Sequence, residues 1–98
     1  MAYIQLIEIT TSDPGALQRL EDRWRAETEG KRTVRRSVTC LDRDHPQRFV
    51  VIVEFDSYES AMENSNLEET ENFAAELSHL ADGPPRFSNL DVIRDHTD

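Results

Sequence analysis

Three carboxylates interrupt runs that are otherwise apolar: Glu8 in Tyr-Ile-Gln-Leu-Ile-Glu-Ile, Glu54 in Phe-Val-Val-Ile-Val-Glu-Phe, and Asp91 after Asn89-Leu90. If the first and third strands are parallel neighbours, Glu8 and Glu54 meet at one end of the sheet, where Asp91 could join them. Crowded carboxylates raise one another's pKa, which is how a protein makes a general base; the plainer alternative is a set of solvated strand ends. Asn64 and Asn66 offer amides that could bind a substrate oxygen or an oxyanion, and Asn also favours helix ends for local hydrogen bonds alone. Asn66, Glu54 and Glu8 are therefore the candidate catalytic residues. Trp24, Tyr58, Met62 and Phe73, with Asn64, could line a pocket for a flat apolar ligand, against the alternative that the rings and the thioether are ordinary core. No two of His45, His79, His96 and Cys40 stand at metal-ligand spacing, so no metal site is expected. The three glycines make no phosphate-cradling loop, and no nucleophile elbow surrounds any serine.

The elements that must position these groups follow from periodicity. Residues 3–10 alternate as a strand rich in β-branched residues. Ser12-Asp13-Pro14 starts a helix carrying Ala16, Leu17, Leu20, Trp24 and Ala26, and Gly30 ends it. Val34–Leu41 and Arg48–Phe55 read as strands joined through the turn residues 42–46. Asp56-Ser57 opens a second helix interrupted near 64–66, where Ser65 and Glu68 form a capping-box pair for a fresh start. Phe73, Ala74, Leu77, Leu80 and Ala81 then form one apolar stripe, stopped by Gly83-Pro84-Pro85. Phe87–Ile93 is the last strand. The order strand–helix–strand–strand–helix–strand over residues 1–98 is that of a single α+β domain.

Composition narrows the partners. A net charge of −9 argues against nucleic acid, whose phosphates need a surplus of Lys and Arg. The basic residues Arg23, Arg25, Lys31, Arg32, Arg35 and Arg36 alternate with Glu21, Asp22, Glu27 and Glu29, a pattern of salt-bridged surface. The chain has no apolar run near the roughly 20 residues of a membrane span. It shows no signal-peptide pattern, and its single cysteine suits a reducing cytoplasm, where we expect it.

Two central strands are apolar on both faces. Phe49, Val51, Val53 and Phe55 alternate with Val50 and Ile52; Tyr3, Ile7 and Ile9 alternate with Ile4 and Leu6. Two helices cover one face of a four-stranded sheet, and an apolar second face of several hundred Å² rarely stays bare. A second copy is the simplest cover, so a homodimer is expected.

With this order in place, the chain resembles the antibiotic-biosynthesis-monooxygenase-like family of the dimeric α+β barrel superfamily, from Tyr3 to Ile93. The most telling stretch is Arg48-Phe-Val-Val-Ile-Val-Glu-Phe-Asp-Ser-Tyr-Glu-Ser-Ala-Met62. The resemblance implies a ferredoxin-like βαββαβ sandwich with a four-stranded antiparallel sheet of mixed strand order, a barrel-like dimer, and a pocket between sheet and helices. It also implies oxidation of polycyclic phenols or anthrones by O₂ without a cofactor, through a substrate carbanion, the protein supplying desolvation, orientation and oxyanion stabilisation. Quinone-forming members carry an Asn in the third strand, a Trp four residues on and a Tyr six further; here those places hold Val51, Phe55 and Ala61. Haem-degrading members need a Trp and a His on the second helix, and residues 58–77 contain neither. The expected function is a cofactor-independent monooxygenase-like activity on a small hydrophobic aromatic molecule. The alternative is a non-catalytic ligand-binding or dimeric assembly module of the same fold.

Overall fold

A computed structural model of the chain describes residues 2–98. β1 (Tyr3–Thr10) leads into α1 (Pro14–Glu27), followed by β2 (Val34–Leu41), β3 (Arg48–Phe55), α2 (Tyr58–Ser65), α3 (Glu68–Leu80) and β4 (Arg86–Asp91). The strands form one sheet in the order β2-β3-β1-β4, every neighbouring pair antiparallel. This is the expected ferredoxin-like α+β arrangement, with the two most apolar strands in the middle.

α1 starts where Asp13 accepts the Ala16 N–H at 3.0 Å and Pro14 fills the first helical turn. It stops at Glu27: the buried Thr28 caps the Trp24 carbonyl with its hydroxyl as well as its N–H, and the Lys31 and Arg32 N–H groups turn back onto the Thr28 carbonyl. Gly30 follows at φ +80°, a conformation that suits glycine. The capping box at Ser65 does not form: α2 runs through Ser65, and α3 begins after an extended Leu67 with no side-chain cap. Glu68, Glu69 and Glu71 in its first turn oppose the helix dipole instead. The last strand ends at Asp91, two residues before the sequence pattern suggests, although the Val92 N–H still bonds the Ala2 carbonyl.

Antiparallel pairing overturns the grouping of carboxylates. Glu8 lies opposite Val50 and Glu54 opposite Ile4, so they sit towards opposite ends of the sheet; Asp91, opposite Tyr3, lies at the Glu54 end. Parallel neighbours would have aligned the two glutamates, and the hairpin between β2 and β3 with an intervening α1 sets β3 running against β1.

Tyr3, Ile7, Ile9, Val51, Val53 and Phe55 point under the helices and pack with Leu17, Leu20, Ala61 and Leu77. The opposite face has no helix. There Val38, Ile52 and Leu6 form one row across three strands, flanked by Val50, Cys40 and Ile4. Charged pairs close its two ends: Arg48 with Glu8 and Asp42, and Arg36 with Glu54. The basic residues of α1 and β2 are exposed and paired as expected, Arg23 with Glu27 and Glu76, Lys31 with Glu69, Arg35 with Asp56.

Candidate functional site

A cavity of about 70 Å³ lies between the helix-covered sheet face and the helices. Its floor is Ile7, Val51 and Val53, with Gln5 and Ser37 at the side. Its roof comes from α1 (Glu21, Trp24, Arg25), α2 (Asn64) and α3 (Phe73). An apolar lining with a few convergent polar groups is the usual make-up of a small-molecule site.

Trp24 forms one wall. Its Nε1–H donates to Thr70 Oγ1 at 3.0 Å, and its ring tilts against Phe73 at 6.1 Å between centroids. α3 thereby fixes the orientation of a ring carried by α1. The same pair also lines an open, charged groove between α1 and α3, which Arg23 and Glu76 bridge. The indole therefore stands between the inner cavity and that groove.

Asn64 is buried at 5% exposure on α2. Its side-chain oxygen accepts the Thr33 N–H at a long 3.4 Å, and among the described residues its amide nitrogen finds no protein acceptor. An amide held in this way in the cavity wall can donate to a ligand oxygen.

Glu21 is the ionisable acid of the cavity. Burial raises its pKa above the ordinary carboxylate value; a hydrogen bond from the Thr39 hydroxyl, 2.6 Å, opposes that shift, and neighbouring Asp22 adds to it. A half-buried carboxylate with a raised pKa inside an apolar cavity is a proton acceptor with a physical reason for its strength. By composition Glu21 is one acid among the basic residues of α1. The signal was present: Leu17, Leu20, Glu21 and Trp24 follow the i, i+3, i+4, i+7 spacing of a core stripe, and one of its four positions is an acid.

The remaining candidates are dispersed. Phe73, Trp24 and Asn64 meet at the cavity. Tyr58 lies 52% exposed, edge-on to Tyr3, and Met62 packs against the core, neither at the cavity. Asn66 is an exposed cap at the end of α2. Glu8 and Glu54 are on the uncovered sheet face, each paired with an arginine. Val51, Phe55 and Ala61 are buried on the helix side, Val51 in the cavity floor. Among the described residues no group of three or more His, Cys, Asp or Glu side chains could hold a metal ion, and no helix is long and apolar enough to cross a membrane.

No protein-family model matches the sequence, and no curated protein matches it either. Solved structures do. A variant of SnoaB, a cofactor-independent oxygenase from Streptomyces nogalater, superposes with a TM-score of 0.83 at 12% identity, covering 99% of this chain and 98% of that one. The chain has the fold of the antibiotic biosynthesis monooxygenases. Rv0793 from Mycobacterium tuberculosis matches at TM-score 0.79 and 16% identity over 99% of this chain and all of that one. A structure described as an antibiotic biosynthesis monooxygenase matches at 0.75 and 12%, over 96% of this chain and 100% of that one. At these identities the likeness establishes architecture, and the chemistry has to be argued from the cavity itself.

Proposed function

We propose that this protein is a homodimer that takes a small hydrophobic aromatic molecule into the helix-face cavity and oxidises it with O₂, as a cofactor-independent monooxygenase. The observation that carries this reading is Glu21 in the cavity: a carboxylate weakened as an acid by burial, facing an apolar floor, with Trp24 and Asn64 on the adjoining walls. SnoaB, of the same fold, is an oxygenase that uses no cofactor.

The chemistry asked of these residues is modest. Glu21 accepts a proton from an activated C–H or a phenolic O–H of the substrate. Trp24 and Phe73 hold the ring plane and exclude water. The Asn64 amide stabilises charge on the oxygen left behind, an interaction that gains strength in a dry site. The resulting carbanion reduces O₂; overall a CH₂ group and O₂ become C=O and water, so both oxygen atoms and the four electrons are accounted for.

O₂ uptake tests the reading. With an anthrone and polycyclic phenol panel under metal chelation, the native protein should consume O₂, and Glu21→Gln should lower the rate by about 10²-fold or more if proton abstraction is general-base catalysed. Failure of the native protein to consume O₂ with any compound that it binds would remove the oxygenase.

One observation favours a second reading, a non-catalytic binding or assembly module. Val51, Phe55 and Ala61 occupy the places of the polar and indole groups of quinone-forming relatives with core side chains only.

A further inference from the structure

Glu21 walls two spaces. Besides the cavity, a second hollow of about 230 Å³ lies between α1 and the β2 edge of the sheet, bordered by Pro14, Leu17, Gln18, Phe49 and Thr39. The two lie end to end. Along α1 the cavity takes Trp24 and Arg25, and the hollow takes Pro14 to Gln18; along β3 the cavity takes Val51 and Val53, and the hollow takes Phe49; along β2 the cavity takes Ser37, and the hollow takes Thr39. Glu21 stands where they meet, and there its Oε2 accepts the Thr39 hydroxyl at 2.6 Å. Among the described residues this is the only side-chain hydrogen bond joining α1 to β2, and no ion pair joins them.

We propose that the Glu21–Thr39 hydrogen bond is a gate between two compartments of one ligand site, opened when a planar fused-ring molecule carrying a hydroxyl displaces the Thr39 hydroxyl and donates to Glu21 in its place. This rests on the cavity being the small-molecule site. The exchange replaces one O–H donor on the carboxylate by another, so the bound carboxylate keeps its hydrogen bond. The inner cavity alone is far below the roughly 300–1,000 Å³ of small-molecule sites. Joined to the hollow it reaches the lower end of that range, enough for two or three fused rings lying over Val51 and Phe49. A carboxylate desolvated by its surroundings has a standing need for such a donor. A hydroxylated ligand meets that need, and a ligand with the same rings and no hydroxyl leaves the acid unpaired.

Trp24 is the only tryptophan, so its fluorescence reports occupancy directly. The probes are 2-hydroxyanthraquinone and its 2-methyl ether, titrated against the native protein, Thr39→Val and Glu21→Leu at neutral pH. Valine is isosteric and suits an edge strand; leucine suits the apolar stripe of α1, and circular dichroism checks that both variants fold. The native protein should prefer the hydroxyl compound by about tenfold, one hydrogen bond to a charged group. Thr39→Val should tighten the hydroxyl compound by about three- to tenfold, because its competitor is gone. In Glu21→Leu the preference should fall to about one. A hydroxyl compound bound no tighter in Thr39→Val, or a preference that survives Glu21→Leu, overturns the gate. Binding is read without turnover, because an anthraquinone has no CH₂ group left to oxidise: quenching here, with no O₂ uptake on the anthrone and phenol panel, removes the oxygenase and leaves the gate standing. No binding of either compound to any of the three proteins removes both.

Discussion

Replacing Ile52 by lysine should convert the protein from dimer to monomer. Ile52 sits on β3 between Val38 of β2 and Leu6 of β1, in the middle of the uncovered sheet face, and is partly exposed. Full burial of an isoleucine side chain is worth about 1.5–3 kcal/mol, of which the isolated chain already realises roughly half, leaving about 1 kcal/mol per copy for the partner to add. A two-fold interface doubles every such loss. The lysine also brings an ammonium that the partner face cannot pair, since the nearest carboxylates, Glu8 and Glu54, are two residues away and already bound to Arg48 and Arg36. Desolvating or expelling that charge adds about 1–2 kcal/mol per copy. The sum is on the order of 4–6 kcal/mol, three to four decades in Kd, enough to dissociate a dimer that is stable at micromolar concentration. Light scattering should give a mass near twice 11.3 kDa for the native protein and near 11.3 kDa for Ile52→Lys. Circular dichroism should be unchanged, because the side chain stands on a face with no helix above it. Glu63→Lys, exposed on α2, is the control and should stay dimeric. A native mass of 11.3 kDa, or an intact dimer in Ile52→Lys, would refute the argument that a second copy covers this face.

Three further outcomes follow from single groups. Because burial raises the Glu21 pKa, the protonated acid is the form the fold favours. Its contribution to stability is whole below the ordinary value of 4.5 and is lost as pH rises through the higher folded value. Urea midpoints of the native protein minus those of Glu21→Gln should therefore fall across that window; a flat difference would mean that Glu21 is solvated. Asp42 behaves in the opposite sense. The Asp44 N–H first, then Arg48 and His45, lower its pKa below 3.8, so its contribution is present above 3.8 and is lost as pH falls through the folded value. Asp42→Asn should destabilise at pH 7 and be neutral near pH 2, by the same denaturation assay. Thr11, 1% exposed, donates to the Leu80 carbonyl at 3.1 Å and accepts the Asp13 N–H at 3.1 Å, so Thr11→Val should lower unfolding free energy by about 1–3 kcal/mol.

Strand and helix positions were legible because period-2 and period-3.6 apolar patterns are long and unambiguous here: Arg48–Phe55 reads as a doubly apolar strand, and the structure makes it central. Strand direction was less legible. Nothing local to Glu8 or Glu54 states whether their strands run together or apart, and one assumption about direction was enough to bring two distant acids to the same end. The break before α3 was legible as a break, from Asn64-Ser65-Asn66, but the cap was not. Ser65 and Glu68 have the right spacing for a capping box, and α2 keeps Ser65 for its own last turn. Trp24, Phe73 and Asn64 stand together on one cavity wall, as their types suggest they could. Tyr58 has the same type and is exposed, because it sits at the mouth of α2 beside Tyr3, where no third element covers it.

Glu21 shows where the candidate site was hidden, and why. A search for acids that break apolar strands finds Glu8 and Glu54, yet a strand alternates faces, and both fall on the face without helices, where arginines take them up. A helix stripe has no such alternation: a residue at the i+4 position between Leu17 and Trp24 must face the sheet whatever its chemistry. The strand acids therefore pair with the cations Arg48 and Arg36, whereas Glu21 gives up part of its water and has a neutral hydroxyl in exchange. Val51, on the cavity floor, is apolar, and the one acid lining the cavity stands in the roof, on α1. On our reading a substrate would present its acidic proton towards α1 and the β2 edge, with its rings on Val51. In that orientation the rings need the hollow beyond Thr39 as well as the cavity, which alone is too small for them.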